Sequence, residues 1–461
     1  MKDNNRFAQL PLDARLLDNL ESLGFRQMTP IQAQALPHIL AGRDLIAKAK
    51  TGSGKTVAFG LGVLQRLNRR HFAIQSLVLC PTRELADQVA KELRSLARTS
   101  ANTKVVTLCG GVPFGPQVGS LEHGAHIVVG TPGRILKHLQ KQTLRLDRVG
   151  TVVLDEADRM LDMGFYEDIA AILSATPPQR QTLLFSATYP ERIRELSSAF
   201  QLDPLEVTVA SQHSERQISQ RFYEVHKGQR IRTLAALLAQ FRPASTVVFC
   251  HTRQQCQEVT EQLQQYGIQA LALHGDLEQK ERDQVLVRFA NHSVPVLVAT
   301  DVAARGLDIK DLEAVINFEL PRDPEVYVHR IGRTGRAGSK GVALSLFIPS
   351  EAKRVNAIEE YQGEKVQREE LPKLKVPEGF SLPVPMVTFC LDGGRKEKVR
   401  PGDILGALTA HEAIAKEHVG KIDIFDHIAY VAVDRSVRKV ALRVLGEGKV
   451  KGRRFKARVI S

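Results

Sequence analysis

Two short runs in this sequence hold the residue types that phosphate chemistry demands. The first is AKTGSGKT, formed by Ala49, Lys50, Thr51, Gly52, Ser53, Gly54, Lys55 and Thr56. It follows the apolar run DLIAKA (44–49) and opens a helical stretch, KTVAFGLGVLQRLN, which is the strand-to-helix context a phosphate-binding loop requires. Gly52 and Gly54 permit backbone conformations that aim N–H groups at phosphate oxygens, and the start of the helix adds its positive dipole end. Lys55 can reach the β and γ phosphates, and Thr56 can ligate Mg²⁺. Ala49 replaces the first glycine of the general pattern, so the loop alone leaves a plain glycine-rich turn as the competing reading.

The second run, VVLDEAD, places Asp155 and Glu156 at the end of an apolar strand, the edge at which a parallel sheet presents its ligands. Asp155 can hold Mg²⁺, usually through water, and Glu156 can polarise a water that attacks a γ-phosphate. An acidic strand-to-loop junction is the bland alternative. Its pairing with the phosphate loop favours nucleotide hydrolysis instead.

These residues can meet only if the elements around them form a sheet. Short apolar runs alternate with longer amphipathic stretches, which predicts parallel sheets built from βαβ units and an α/β fold. In the first half the predicted strands are 44–49, 76–80, 126–130, 151–155 and 182–186; in the second they are 246–250, 270–273, 294–300, 314–318 and 343–347. The pattern lapses over 203–220, where polar residues dominate, and again over 362–385, where four prolines and dense charge disfavour a helix interior or a central strand. After that, MVTFCLDGG, PGDILGALTA, GKIDIF, HIAYVAV, SVRKVALRVLG and KVKGRRFKARVI read as strand, helix, strand, strand, helix, strand. The domains are accordingly expected at 1–207 and 208–361, with a linker at 362–384 and a small module at 385–461.

Composition narrows the function classes. At 461 residues the chain exceeds the roughly 250–300 beyond which one core stops growing, so several domains are required. Hydrophobic residues at 43% and charged residues at 25% exclude wholesale disorder. The net charge of +13 points towards a polyanion, with nucleic acid first. Cys80, Cys109, Cys250, Cys256 and Cys390 are odd in number and widely spaced, which predicts reduced, buried thiols and no cysteine-held metal site. No stretch is apolar enough to span a membrane, so a soluble, unexported, cytoplasmic protein is expected.

Further motifs resemble those of the DEAD-box RNA helicases over about residues 7–350. Asp155, Glu156, Ala157 and Asp158 spell the family's name. GFRQMTPIQ (24–32) is similar to its adenine-reading element, which implies that Gln32 contacts adenine and that Phe7 stacks on it. Pro81, Thr82 and Arg83 in PTRELA, Gly110 with Gly111, and Thr131, Pro132, Gly133 and Arg134 in TPGR resemble motifs that grip the RNA backbone. Ser186, Ala187 and Thr188 match the SAT motif, coupled to hydrolysis through Asp158. A second SAT at 174–176 precedes two prolines and follows no long strand, so it is taken as a decoy. In the second half VVFCHTR (247–253), HGDLEQKERD (274–283), ATDVAARGLD (299–308) and HRIGRTGR (329–336) align with the remaining motifs. The resemblance implies that Asp308 contacts the ribose, that Gly275, Arg282, Thr300 and Arg305 help hold RNA, that His329 belongs to the coupling set, and that Arg333 and Arg336 are arginine fingers. Arginine suits that task because its planar guanidinium bridges two phosphate oxygens.

The resemblance therefore implies two tandem RecA-like domains, ATP and Mg²⁺ as nucleotide and metal, and RNA as partner with little sequence preference in the core. An ATP-gated RNA clamp with little strand separation is the alternative. A DNA helicase is more distant.

The tail supplies a possible address. Residues 384–461 contain 16 Lys+Arg and 9 Asp+Glu, a surplus of 7, and six of the cations fall in the last 14 residues. The tail is similar to the C-terminal RNA-binding domain of the bacterial DbpA subfamily, an RRM-like βαββαβ module. That likeness implies recognition of a hairpin in 23S rRNA and a role in assembly of the large ribosomal subunit, by a monomer with no membrane and no obligate protein partner. HIAYVAV keeps Tyr430 but lacks the row of stacking aromatics usual on such a sheet. Lys396, Lys398 and Arg400, with Lys451 and Arg453 near the final strand, are therefore the expected RNA contacts.

Overall fold

The computed structural model describes residues 5–49, 53–100, 102–189, 191–209, 218–304, 312–335, 341–371 and 376–460. The chain forms two compact units that divide near residue 213.

The first unit is built on strands β1 (Leu45–Lys48), β2 (Ser76–Leu79), β3 (Val105–Leu108), β4 (Ile127–Gly130), β5 (Thr151–Asp155), β6 (Gln181–Ser186) and β7 (Leu205–Thr208). They form one sheet in the order β3-β4-β2-β5-β6-β1-β7, every pair parallel. The runs are short and apolar because both faces of the sheet are covered. Leu45, Ala47, Val78, Val129, Val153 and Phe185 face one core, shared with Ile39, Phe59 and Leu93 of the covering helices. Ile46, Leu77, Leu79, Val128, Val152 and Leu184 face the other, with Ile135, Ile169, Ile172 and Leu196.

The second unit opens with β8 (Ile218–Glu224), β9 (Thr246–Cys250), β10 (Ala270–Leu273), β11 (Val296–Thr300), β12 (Ala314–Asn317), β13 (Gly341–Phe347) and β14 (Gln367–Glu369), again all parallel, in the order β10-β11-β9-β12-β13-β8-β14. All ten predicted strands are present. Four strands were not foreseen: β3, β7, β8 and β14. Three of these are edge strands, and an edge strand has a neighbour on one side only, so it tolerates the polar residues of LEVT and QRE. The stretch read as a linker is consequently not free chain. It begins with β14, and its Phe380 and Leu382 are buried in the core of the preceding domain.

The C-terminal module of the same unit has an antiparallel sheet of β15 (Met386–Leu391), β16 (Val419–Ile424), β17 (Ala429–Asp434) and β18 (Ala457–Val459), in the order β16-β17-β15-β18. With helices Pro401–Thr409 and Arg438–Glu447 it is the expected βαββαβ arrangement. Val387, Phe389, Leu391, Val431 and Val433 point towards those helices. The alternate residues point the other way, since side chains alternate across a strand. There Cys390 and Tyr430 pack on Val287 of helix Gln279–Ala290. Thr388, fully buried, accepts from Asn291 Nδ2 at 3.2 Å and is hydrogen-bonded to Ser293 Oγ at 2.7 Å. The sheet face on which RRM domains ordinarily stack bases is therefore covered by the preceding domain.

All five cysteines are free and buried, as expected from their apolar settings. Burial pushes the Cys80 thiol up and Cys109 to about 12, so neither is a thiolate at neutral pH. Among the described residues no helix is long and apolar enough to cross a membrane.

Replacing Val287 by Asp puts a carboxylate against Cys390 and Tyr430, which a buried apolar contact does not tolerate. The expected outcome is an undocked module. In native buffer a thiol reagent should then titrate one cysteine rapidly in V287D and none in the parent; equal reactivity would refute the packed interface.

Candidate nucleotide and nucleic-acid site

In a parallel sheet all strands end on one edge, and most of the candidate residues follow strand ends there. Helix Lys55–Arg66 starts from Gly54, whose φ of 94° lies in the left-handed region. A Cβ at this position would come within 2.4 Å of Gln32 Nε2, so only glycine fits. Gln32 is buried and held at both ends: its Oε1 accepts from Thr29 N at 2.9 Å and its Nε2 donates to the Gly54 carbonyl at 3.0 Å. It thus closes the first turn of helix Pro30–Leu40 while bracing the phosphate loop. Ala49 is buried and donates to the Ser186 carbonyl, and Phe7 is buried in the first core. Thr56 is half-buried at the start of the helix. Lys50, Thr51, Gly52, Arg305, Asp308 and Arg336 lie outside the described residues.

Lys55 Nζ, Asp155 Oδ1, Ser53 Oγ and Ser186 Oγ are buried and have no hydrogen-bond partner within the described protein. Buried polar atoms are normally satisfied. An ammonium, a carboxylate oxygen and hydroxyls left thus at a helix N-terminus fit a phosphate chain and its cation. Burial pushes the Asp155 carboxyl up to about 7, with Lys55 opposing the shift and Glu156 adding to it.

The next three residues divide distinct tasks. Glu156 adopts a left-handed backbone (φ 53°, ψ 52°) as the chain turns from β5 into helix Ala157–Asp162. Its Oε2 accepts from Arg159 Nη1 at 2.5 Å, and both side chains are almost wholly buried. Asp158 Oδ2 accepts from Ala187 N and Thr188 N, each at 3.0 Å, and from Thr188 Oγ1 at 3.2 Å. The SAT at 186–188 therefore meets Asp158, whereas Ser174 of the decoy ends helix Tyr166–Ser174.

The candidate RNA motifs follow β2, β3 and β4, on the other half of the same edge. Pro81 is buried, and Thr82 caps helix Arg83–Leu96 by accepting from Leu85 N at 3.3 Å. Arg83 pairs with Asp87 at 3.6 Å. Gly110 and Gly111 form the turn after β3, and Gly111 is exposed. Thr131 precedes helix Pro132–Gln140, with Pro132 buried and Gly133 exposed. The Arg134 guanidinium is engaged within the protein, donating to Gln117 Oε1 at 2.9 Å and the Val112 carbonyl at 3.0 Å.

In the second unit Gly275 is exposed beyond β10, and Thr300 ends β11, where its Oγ1 accepts from Ala303 N at 3.3 Å. Arg282 donates to the Ala303 carbonyl at 2.7 Å. His329 lies 3.8 Å from Glu325 on helix Pro324–Ile331, and Arg333 is half-buried in the turn that follows. Arg330, which the motif reading did not single out, is buried and makes a two-pronged contact with Asp301 at 2.6 and 2.7 Å; its third nitrogen reaches Asn317 Oδ1 and the Glu319 carbonyl. That contact ties HRIGR to the ATD turn. Arg159 was likewise missed. The only sequence signal for either was an arginine adjoining a motif acid or histidine.

On the module, Lys396, Lys398, Arg400, Lys451 and Arg453 are all exposed. Lys451 Nζ donates to the Lys398 carbonyl at 2.8 Å, joining the two basic loops into one surface.

Comparison with known proteins agrees with this geometry. Residues 29–196 match the DEAD/DEAH box helicase family, 229–338 the helicase conserved C-terminal domain, and 388–459 the DbpA RNA binding domain. The ATP-dependent RNA helicase DbpA of Escherichia coli is 54% identical over 444 residues, covering 96% of this chain and 97% of that protein. The DEAD-box ATP-dependent RNA helicase CshA of Bacillus cereus is 46% identical over 80% of this chain and 70% of its own. Among solved structures, S. cerevisiae Dbp5 bound to RNA and ADP BeF3 superposes with a TM-score of 0.72 at 30% identity, over 80% of this chain and 96% of that one. The chain belongs to the DEAD-box ATP-dependent RNA helicases, enzymes that hydrolyse ATP and act on RNA. Its C-terminal module makes it a helicase of the DbpA type.

Two substitutions test the buried arginines. Arg159→Met leaves Glu156 unanchored, and misplacement by about 1 Å is enough for roughly a 100-fold loss of turnover. The half-saturating ATP and RNA concentrations should not change; a loss confined to those would contradict the assignment. Arg330→Ala strands Asp301 and should cost about 3 kcal/mol or more of stability by denaturant titration.

Proposed function

We propose that this helicase is brought to 23S rRNA by its C-terminal module and acts in assembly of the large (50S) ribosomal subunit, as a cytoplasmic monomer. The observation that carries the catalytic part is the buried, unpartnered pair Lys55 Nζ and Asp155 Oδ1 at the edge of the first sheet. Lys55 neutralises the β and γ phosphates, and Thr56 and Asp155 would hold Mg²⁺, which would supply positive charge to the phosphate oxygens. Glu156 orients and deprotonates water, Gln32 reads adenine beside Phe7, and Asp308 holds the ribose. Arg333 and Arg336 stabilise transition-state charge, as arginine fingers do. Asp158 passes the state of the phosphates to Thr188.

The core's grip falls to PTRELA, Gly110–Gly111 and TPGR in the first domain, and to Gly275, Arg282, Thr300 and Arg305 in the second. These motifs suit sugar and phosphate, which carry little sequence information. Selection is assigned to the module. Because its sheet face is covered by helix Gln279–Ala290, the joined basic loops carrying Lys396, Lys398, Arg400, Lys451 and Arg453 are its RNA surface. The intact Glu156 supports hydrolysis as part of the working cycle, against a clamp that seldom turns over.

ATPase turnover measured with 23S rRNA, unrelated RNA and DNA tests this reading. 23S rRNA should stimulate most, and K396E/K398E/R400E should lower that stimulation to the level of unrelated RNA. Equal stimulation by every nucleic acid would refute the address. Glu156→Gln should keep ATP and RNA binding while hydrolysis falls at least about 100-fold.

A further inference from the structure

Beneath the turn after β3 lies a chain of buried and half-buried polar side chains whose hydrogen-bond directions follow from the chemistry of their partners. Gln117 is buried, and its amide meets two partners that each act one way. The Cys109 carbonyl only accepts, at 3.0 Å from Nε2, and Arg134 Nη1 only donates, at 2.9 Å to Oε1. The orientation of the amide is therefore set by chemistry, and Oε1 can only accept. His138, fully buried, places Nε2 3.0 Å from that same oxygen, so Nε2 must carry the proton. Nδ1 is then an acceptor and takes the Thr143 hydroxyl proton at 2.8 Å. The hydroxyl also lies 3.2 Å from the His138 carbonyl, which Thr143 N bonds at 3.0 Å, but the shorter contact is to Nδ1, and only donation there gives the unprotonated ring nitrogen a partner. Burial, with Arg134 adding to it, lowers the His138 imidazole to about 4, so the neutral tautomer persists at physiological pH. Phe114 stacks on the ring at 4.1 Å between centroids.

This chain ends on two backbone carbonyls. Gln117 holds Cys109 O, and Arg134 holds Val112 O at 3.0 Å. They bracket Gly110 and Gly111, the latter at a φ of 75°. A glycine pair has no side chain with which to fix its own conformation, and glycine loses the most backbone freedom on ordering. The bracket supplies that order from outside.

We propose that Gln117 and His138 are positioning residues for RNA: through Arg134 and the two bracketing carbonyls they hold the Gly110–Gly111 turn in the shape that receives the RNA backbone. The proposal deepens the functional reading above and rests on it. Neither residue touches RNA. Their contribution is entropic, since a turn ordered beforehand loses less freedom on binding.

The test uses the full-length protein and four variants. Gln117→Leu and His138→Leu each break the chain, whereas His138→Gln can place an amide N–H where Nε2–H stands. Gln117→Leu and His138→Leu should raise the half-saturating RNA concentration for ATPase about tenfold, with turnover at saturating RNA and ATP affinity without RNA within about twofold. His138→Gln should stay within about threefold of the parent. Hydrogen exchange at the amides of residues 110–112 should quicken in the two leucine variants only. Gln117→Glu loses the donor to Cys109 O and should behave as Gln117→Leu. If His138→Gln falls as far as His138→Leu, packing and not the directed bond is responsible, and the proposal fails. Unchanged exchange at 110–112 also overturns it. The functional reading fails separately, by a parent ATPase that ignores RNA, and the exchange measurement judges the bracket in that case too.

Discussion

One carboxylate oxygen joins the turns that follow the two central strands β5 and β6 of the first domain. Asp158 Oδ2 accepts two backbone N–H groups and a hydroxyl from the turn after β6. Asp158 also belongs to the short helix that begins at the end of β5, two residues from Glu156. Since β5 and β6 are paired side by side, with Asp155 opposite Phe185, this cluster stiffens the middle of the sheet edge. The strand order does the rest. Loops after β1, β5 and β6 hold the candidate phosphate-site residues, and loops after β4, β3 and β2 hold the candidate RNA motifs. A parallel sheet presents all of these on one edge.

Buried and half-buried arginines act as braces in both units. Arg159 anchors Glu156, Arg330 locks Asp301 to the HRIGR helix, Arg134 ties Gln117 to Val112, and Arg230 joins Glu351 and the Phe318 carbonyl. Guanidinium suits this work because several directed donors lie in one plane and the charge is never lost. A buried pair adds little net stability over apolar residues, but breaking one partner from it is costly. What the contacts secure is geometry: those of Arg159, Arg330 and Arg134 fix turns that carry motif residues.

The C-terminal module shows the same economy of surfaces. Thr388, Cys390 and Tyr430 are too small or too few to form a stacking platform, and they are the residues that meet Val287, Asn291 and Ser293. The face that lacks the usual row of stacking aromatics is the face used for packing, and its Tyr430 is taken up in that contact. The cationic loops are left exposed, joined by the Lys451–Lys398 contact.

Much of this was legible in the residues. All ten strands inferred from apolar runs are present: nine are central parallel strands, which need apolar residues on both faces, and the tenth, edge strand β10, is itself the apolar run ALAL. The phosphate loop, the DEAD run and the true SAT could be found from local context, since each needs contiguous residue types at the end of a strand. Edge strands such as β7 and β14 could not, because one-sided pairing imposes no apolar pattern. The sequence by itself determined the fold class, the nucleotide chemistry and the family, since these depend on short contiguous runs. Only the tertiary structure decided that Arg159 meets Glu156, that Arg330 meets Asp301, that Gln117 meets His138 and Arg134, and that the module's sheet is covered. Those facts depend on which side chains meet across the fold, and Gln117 and His138, 21 residues apart, carry no mark of it in the chain.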